Sequence, residues 1–222
     1  LWNANTDLAA AALFHPFVEA LAQGVLPKPA FQKYIAEDAF FLRSFASGYK
    51  AAASRVNNAG VAPSKAAAAS AQLDQLRDGV LEELEMHDSY AAKWGVNISS
   101  QTHQSPHPAT SKYLNFLSTI CDDPTSTVAE VLAAMVPCLR LYASLGCILA
   151  RSMPESEDYA YAEWIQTYKS QAYIRLPAIA ELLLNELAVH DSKGKQRERG
   201  GAGFLRNLHS YNYSNNKKRK GR

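Results

Sequence analysis

The chain has 222 residues, a formal net charge of +2, 47% hydrophobic residues and three cysteines. That length suits one domain with an appendage, and about 190 packed residues bury roughly 70% of their unfolded surface without any disulfide staple. An odd cysteine count, with every thiol in or beside an apolar helical pattern and no visible signal peptide, argues against a disulfide framework and for a reducing compartment.

The net charge hides a split. Residues 191–222 carry ten Lys/Arg and two Asp/Glu, a net of +8, which leaves −6 for residues 1–190. The acidic body and the basic tail are read separately. The tail, DSKGKQRERGGAGFLRNLHSYNYSNNKKRKGR, is rich in glycine and poor in aliphatics, so it is expected to be a disordered low-complexity segment. No stretch is expected to span a membrane, because Arg140 interrupts the longest apolar run short of the ~20 residues needed.

In chain order, residues 2–24 read as a helix divided at His15-Pro16, with Asn5, Thr6 or Asp7 as cap and Gly24 as stop. VLPKPA is a turn. Residues 29–56 follow as a long helix in which Phe31, Tyr34, Ile35, Asp38, Phe41, Leu42 and Phe45 recur at three and four. NNAGVAPS is a loop, and residues 64–95 form one further helix, or two, ending at Gly95. NISSQTHQSPHPAT is a polar surface connection. Residues 108–120 form a short helix. Thr127 to Arg151 is an apolar helix in which Pro137 removes a hydrogen bond and predicts a kink. The last body segment, residues 159–190, divides near Ser170 and is apolar up to Leu187. With no period-two alternation and no repeat, the body is all-α, about seven to nine helices around one core.

Four features rise above a plain bundle. Cys138 and Tyr142 share one helical face just past Pro137, and a thiol is a competent nucleophile once its proton can leave; a buried cysteine is also an ordinary small hydrophobe. Asp38 sits on an apolar face, where a carboxylate needs partners or a shifted pKa, either as a satisfied core group or as a site. Tyr113, Tyr142 and Tyr168 lie on three helices, in keeping with either core or pocket. Glu83 and His87, four apart, have the spacing of a shared metal site, but no second pair of that kind accompanies them, and a solvated helical face is the simpler expectation.

HPFVEALAQGVLPKPAFQKYIAEDAFFLRSFA resembles the opening of the TenA/thiaminase II (TENA/THI-4) family, with its HPF, its G-x-L-P turn, and a Y-x-x-x-D helix followed by paired aromatics. MVPCLRLYASLG is similar to that family's L-P-C-x-x-L-Y-x-x-G signature, and WIQTY to its W-I-x-T-Y. The resemblance covers residues 1 to about 187, and its wording is closest to the TenA-like domain of plant bifunctional thiamin-salvage proteins.

The resemblance implies a heme-oxygenase-like bundle over residues 1–190 with a central pocket for the aminopyrimidine half of thiamin or its breakdown products. It implies hydrolysis of the bond from the pyrimidine methylene to an amine or thiazolium, with no metal and no cofactor. Cys138 then corresponds to the nucleophile, Asp38 to the carboxylate on the pyrimidine edge, Phe41 to a ring that stacks on it, and Tyr113, Tyr142 and Tyr168 to pocket tyrosines. It also implies a homo-oligomer, tetrameric in the family. The family's last helix carries a general-acid glutamate before aromatics. Here the basic tail stands in its place, with Asp191 and Glu198 as its only carboxylates. The expectation is therefore an aminohydrolase weakened by loss of that acid, with a non-catalytic pyrimidine-binding isoform as the alternative. The other classes are nucleic-acid binding or nuclear import through KKRKGR with Tyr211 and Tyr213, and a helical metal oxidase using Glu83 and His87. The expected compartment is the cytoplasm, or the mitochondrion if a targeting segment precedes Leu1.

Overall fold

The computed structural model describes residues 2–98, 105–153 and 159–189. The tail, with Asp191, Glu198 and the KKRKGR cluster, lies outside the described residues, as does part of the polar connection after Asn97. Among the described residues there is no strand. Eight α-helices follow one another: α1 (Thr6–Leu13), α2 (Pro16–Ala22), α3 (Lys28–Arg55), α4 (Pro63–Lys93), α5 (Pro108–Asp122), α6 (Val128–Ser152), α7 (Ala162–Lys169) and α8 (Gln171–Ala188), with a 3₁₀ turn at Val56–Asn58.

The punctuation is where the sequence places it. His15-Pro16 and His107-Pro108 both start helices. In each, the imidazole Nδ1 accepts the backbone N–H two residues on, Phe17 at 3.1 Å and Ala109 at 3.3 Å, while proline takes the first turn, where its missing donor costs nothing. Thr127 and Glu130 close a reciprocal capping box at the start of α6. Gly24 and Gly95 end α2 and α4 at φ of +71° and +74°. The following amides, Val25 and Val96, reach back to the carbonyls of Ala20 and Ala91, a closure that favours glycine because other residues rarely adopt that φ.

Helix α6 is the axis of the bundle. It touches α1, α3, α5, α7 and α8. Pro137 is buried within it, and the helix continues through it from Val128 to Ser152 without a break. By length and composition this helix is apolar enough to cross a membrane, contrary to the sequence expectation: its most apolar window has a mean hydropathy of 1.8. That apolarity serves core packing, since 72% of the window is buried inside the protein. Arg140 leaves the core by pairing with Glu181 on α8, with its guanidinium 5.7 Å from the Trp2 ring.

The core falls into two clusters. One joins Leu42, Phe45 and Tyr49 of α3 to Leu73 and Leu76 of α4, Leu132 and Met135 of α6, and Leu183 and Leu184 of α8. The other joins Leu21, Phe31 and Ile35 to Leu141, Leu145, Ile165 and Tyr168. Leu84 and Tyr142 pack against both. At Gly146 the backbone of α7 lies directly on α6: a Cβ there would fall 2.4 Å from the Tyr168 carbonyl carbon. At Gly79, by contrast, a Cβ would meet nothing within 4 Å.

These two glycines predict opposite outcomes on replacement by alanine. Gly146→Ala forces two backbones apart and is expected to cost at least about 3 kcal/mol. Gly79→Ala, in the open interior of a helix, is expected to stabilise by about 0.5–1 kcal/mol. Urea unfolding of the two variants beside the parent chain checks both signs.

Candidate active site

The seam between the two clusters holds a cavity of about 270 Å³. Its wall includes Asp38, Phe41, Phe45 and Tyr49 from α3, Val80 and Glu83 from α4, Cys138 and Tyr142 from α6, Tyr168 from α7, and Tyr173 from α8. The size is at the small end for a ligand pocket. A more open groove of about 430 Å³ lies elsewhere, lined by His15, Tyr34, Glu37, His107 and Trp164. It is larger but contains neither the thiol nor Asp38; Tyr142 alone of the candidate residues lines both.

Of the six residues expected from the sequence, five meet in the cavity wall: Asp38, Phe41, Cys138, Tyr142 and Tyr168. Tyr113 stands behind the wall. Its ring stacks on Phe41, with centroids 5.4 Å apart and planes within 14°, so it sets the angle of that ring. Tyr142 and Tyr168 meet at 4.9 Å, Trp164 packs on Tyr168 at 4.6 Å, and Tyr173 meets Tyr168 edge-on at 4.8 Å. The Trp164 indole N–H donates to the Tyr34 hydroxyl at 3.2 Å, which joins this aromatic wall to α3.

Two carboxyls enter this apolar space. Asp38 is 7% exposed, and its Oδ2 is buried with no hydrogen-bond partner; His87 Nε2 stands 3.7 Å away. Burial pushes its pKa up to about 7. Glu83 reaches the cavity from α4, where its Oε1 accepts the Tyr168 hydroxyl at 3.1 Å. Burial pushes it up to about 7 as well, assisted by the neighbouring Asp38 carboxylate and opposed by the Tyr168 hydrogen bond and by His87. Burial raises the Cys138 thiol well above its usual range, and the Asp38 and Glu83 carboxylates raise it further. No lysine or arginine lines the cavity among the described residues, so no cation offsets these shifts.

Glu83 and His87 do not form the solvated face expected from the sequence. His87 is 8% exposed, with Nε2 3.1 Å from the Ile35 carbonyl oxygen, an acceptor, so that nitrogen carries a hydrogen. Among the described residues no group of three His, Cys, Asp or Glu is placed to hold a metal ion. A signal for Glu83 was present. Leu73, Leu76, Val80, Glu83, His87 and Ala91 step by three and four along α4, so the carboxylate lies on the same stripe as its apolar neighbours.

The two raised carboxyls make stability depend on pH in a definite direction. Their folded values near 7 stand against 3.8 and 4.5 for the free groups, so between those limits the folded state holds protons that the unfolded chain has released. Their stabilising contribution is complete below about pH 4 and is lost as pH rises through about 7. The parent chain is expected to lose on the order of 1–3 kcal/mol per raised carboxyl between about pH 5 and pH 8. Asp38→Asn and Glu83→Gln are each expected to lose less than the parent, by the share of the carboxyl removed. Urea unfolding of the three chains at both pH values measures the difference.

Comparison with known proteins agrees with this architecture. The sequence profile of the TENA/THI-4/PQQC family matches residues 2–201. The bifunctional TH2 protein, mitochondrial, of Arabidopsis thaliana is 33% identical over 195 residues, which is 80% of this chain but 30% of that protein. The chain thus spans about a third of the length of that relative. The aminopyrimidine aminohydrolase of Bacillus subtilis is 27% identical over 157 residues, 69% of this chain and 61% of that one. Among solved structures, a TenA homologue from Pyrococcus furiosus superposes with a TM-score of 0.77 at 18% identity, covering 93% of this chain and 92% of that one. One from P. horikoshii does so at 0.75 and 19%, covering 94% and 92%. The match runs from the first helix through the cavity helices, and the chain belongs to the TENA/THI-4/PQQC family, with the all-α, heme-oxygenase-like fold of the TenA proteins.

Proposed function

We propose that this chain is a hydrolase of thiamin salvage that cleaves the bond between a pyrimidine methylene and its amine or thiazolium substituent, with Cys138 as the nucleophile. The observation that carries the reading is Asp38: a buried carboxyl with an unpartnered oxygen in an aromatic cavity that also contains a thiol. An aminopyrimidine presents a ring-nitrogen acceptor beside an exocyclic-amine donor. A carboxylate can only accept, but a carboxylic acid donates through its O–H and accepts through its C=O, so the neutral form matches both atoms of that edge. A pKa of about 7 keeps much of Asp38 in that form at neutral pH. Phe41, held flat by Tyr113, offers the face on which a ring stacks, and Tyr142 and Tyr168 fill the opposite side beside the thiol.

The chemistry follows from that pose. The sulfur adds to the electron-poor ring, and the displaced electron pair then expels the substituent from the methylene. Water adds to the exocyclic methylene carbon and the sulfur departs, which leaves a hydroxymethyl group on the pyrimidine. Names of relatives support this substrate class, since several of them are aminopyrimidine aminohydrolases.

Hydrolysis of the amino-, formylamino- and thiazolium-substituted pyrimidines tests the reaction. Release of the substituent is expected for at least one of them, and Cys138→Ala is expected to lower the rate by about 10³-fold or more. Binding without turnover by the parent chain would make it a pyrimidine-binding module instead. A Cys138→Ala chain as active as the parent would remove the thiol from the reaction. On the Cys138→Ala background, Asp38→Ala should weaken pyrimidine binding by about tenfold or more. Asp38→Asn keeps a donor beside an acceptor and should stay within about threefold. Calorimetric titration with the substrate pyrimidine reads both.

A further inference from the structure

We infer that Glu83 is the acid–base residue of this cavity: its carboxylate takes the proton of the Cys138 thiol as the sulfur attacks, and returns it to the departing nitrogen. The inference rests on the proposed hydrolysis at the pyrimidine methylene, and it assigns a role that the sequence motifs leave empty.

Three observations point to Glu83. First, among the described residues no lysine or arginine lines the cavity to hold the thiol as a thiolate. Burial and two carboxylates keep it protonated, so its attack on a ring requires a base that removes the proton in the same step. Second, Glu83 lines the same cavity as Cys138 and approaches from a different helix. Among the described residues, Tyr168 is its hydrogen-bond partner, through Oε1, which leaves Oε2 for the contents of the cavity. Third, among the described residues, the other groups that face Glu83 are committed or unsuited. On α3, Asp38 would be taken up by the proposed pyrimidine edge, and burial holds the Tyr49 phenol high. On α4, His87 gives Nε2 to the Ile35 carbonyl and is not part of the cavity wall. Tyr142, Tyr168 and Tyr173, from α6, α7 and α8, have phenols raised well above their ordinary range by burial, so none of them takes a proton from a thiol. A carboxyl that titrates at about 7 is charged often enough to accept a proton and acidic enough to return it.

The step balances. The S–H bond breaks, and its proton moves to Glu83 while sulfur bonds to the ring. The ring's added electron pair forms the exocyclic C=C as the methylene C–N bond breaks. Where the substituent is an amine, Glu83 then protonates the leaving nitrogen, which departs as a neutral amine. A thiazolium departs as neutral thiazole without a proton, and Glu83 gives its proton to water before the second half. In the second half, water gives its oxygen to the methylene carbon and a proton to Glu83, which passes that proton to the departing sulfur.

The test reads Cys138 directly and needs no substrate. Peptide-resolved alkylation of Cys138 by iodoacetamide is followed from pH 5 to pH 9 in the parent chain, Glu83→Gln and Glu83→Ala. A base predicts that both variants slow alkylation at about pH 7.5 by about tenfold or more and lose the inflection near pH 7, and that added formate restores part of the rate in Glu83→Ala. A carboxylate that merely repels the thiolate predicts the opposite sign, because its removal frees the thiol to ionise. Unchanged or faster alkylation therefore overturns the assignment. In turnover, Glu83→Gln is expected to lower kcat by about 10²–10⁴-fold with KM within about threefold. A raised KM with unchanged kcat would reduce Glu83 to holding Tyr168, and would overturn it too. If the parent chain hydrolyses none of the pyrimidines but the variants alkylate slowly, the substrate reading fails and the base assignment stands.

Discussion

The whole bundle depends on keeping α6 out of water. Helix α6 contributes sixteen buried residues, on every side of its axis, and each neighbouring helix presents an apolar face to it. At Gly146 the α7 backbone occupies the space a Cβ would take. That contact brings Tyr168 against Tyr142, and Tyr168 in turn reaches Glu83 on α4. A packing requirement on one glycine thus helps to bring together a phenol and a carboxyl that lie far apart in the chain.

The same dryness gives the cavity its chemistry. A thiol, two carboxyls and several phenols share a small space whose wall, among the described residues, holds no lysine or arginine, and burial opposes ionisation of every one of them. Such a cluster lowers the stability of the folded state at neutral and higher pH. It also leaves an unpartnered carboxyl oxygen at Asp38. An aminopyrimidine would satisfy both costs at once, since its edge pairs with the acid and its ring fills the space between aromatic walls. The apolar surroundings that disfavour charge in the cavity would favour a flat ligand with one polar edge.

Much of the architecture was legible beforehand because helical boundaries are local. Each depends on a proline, a glycine or a capping side chain within a few residues, so the breaks at His15-Pro16, Gly24, Gly95 and Ser170 fall where they were expected. The apolar character of α6 was legible from its composition, and Asp38 stood out because a carboxylate interrupts an apolar stripe. Arg140 misled in the opposite direction: it was read as breaking the run, yet it leaves the core through Glu181 while the helix around it stays apolar.

Glu83, His87 and Tyr113 were not decided locally. Spacing of four on a helix is the same whether that face meets solvent or a neighbour, and only the packing of α4 against α3 turned the Glu83–His87 face inward. Tyr113 lies on α5, which lends no residue to the cavity wall, and its stacking on Phe41 places it behind that wall. The sequence by itself determined the helices, their ends and the residue types available for chemistry, because those follow from short-range geometry and periodicity. Which carboxyls share a cavity with the thiol, and which aromatics line it, only the tertiary structure decided, because burial of a helical face depends on what the rest of the chain lays against it.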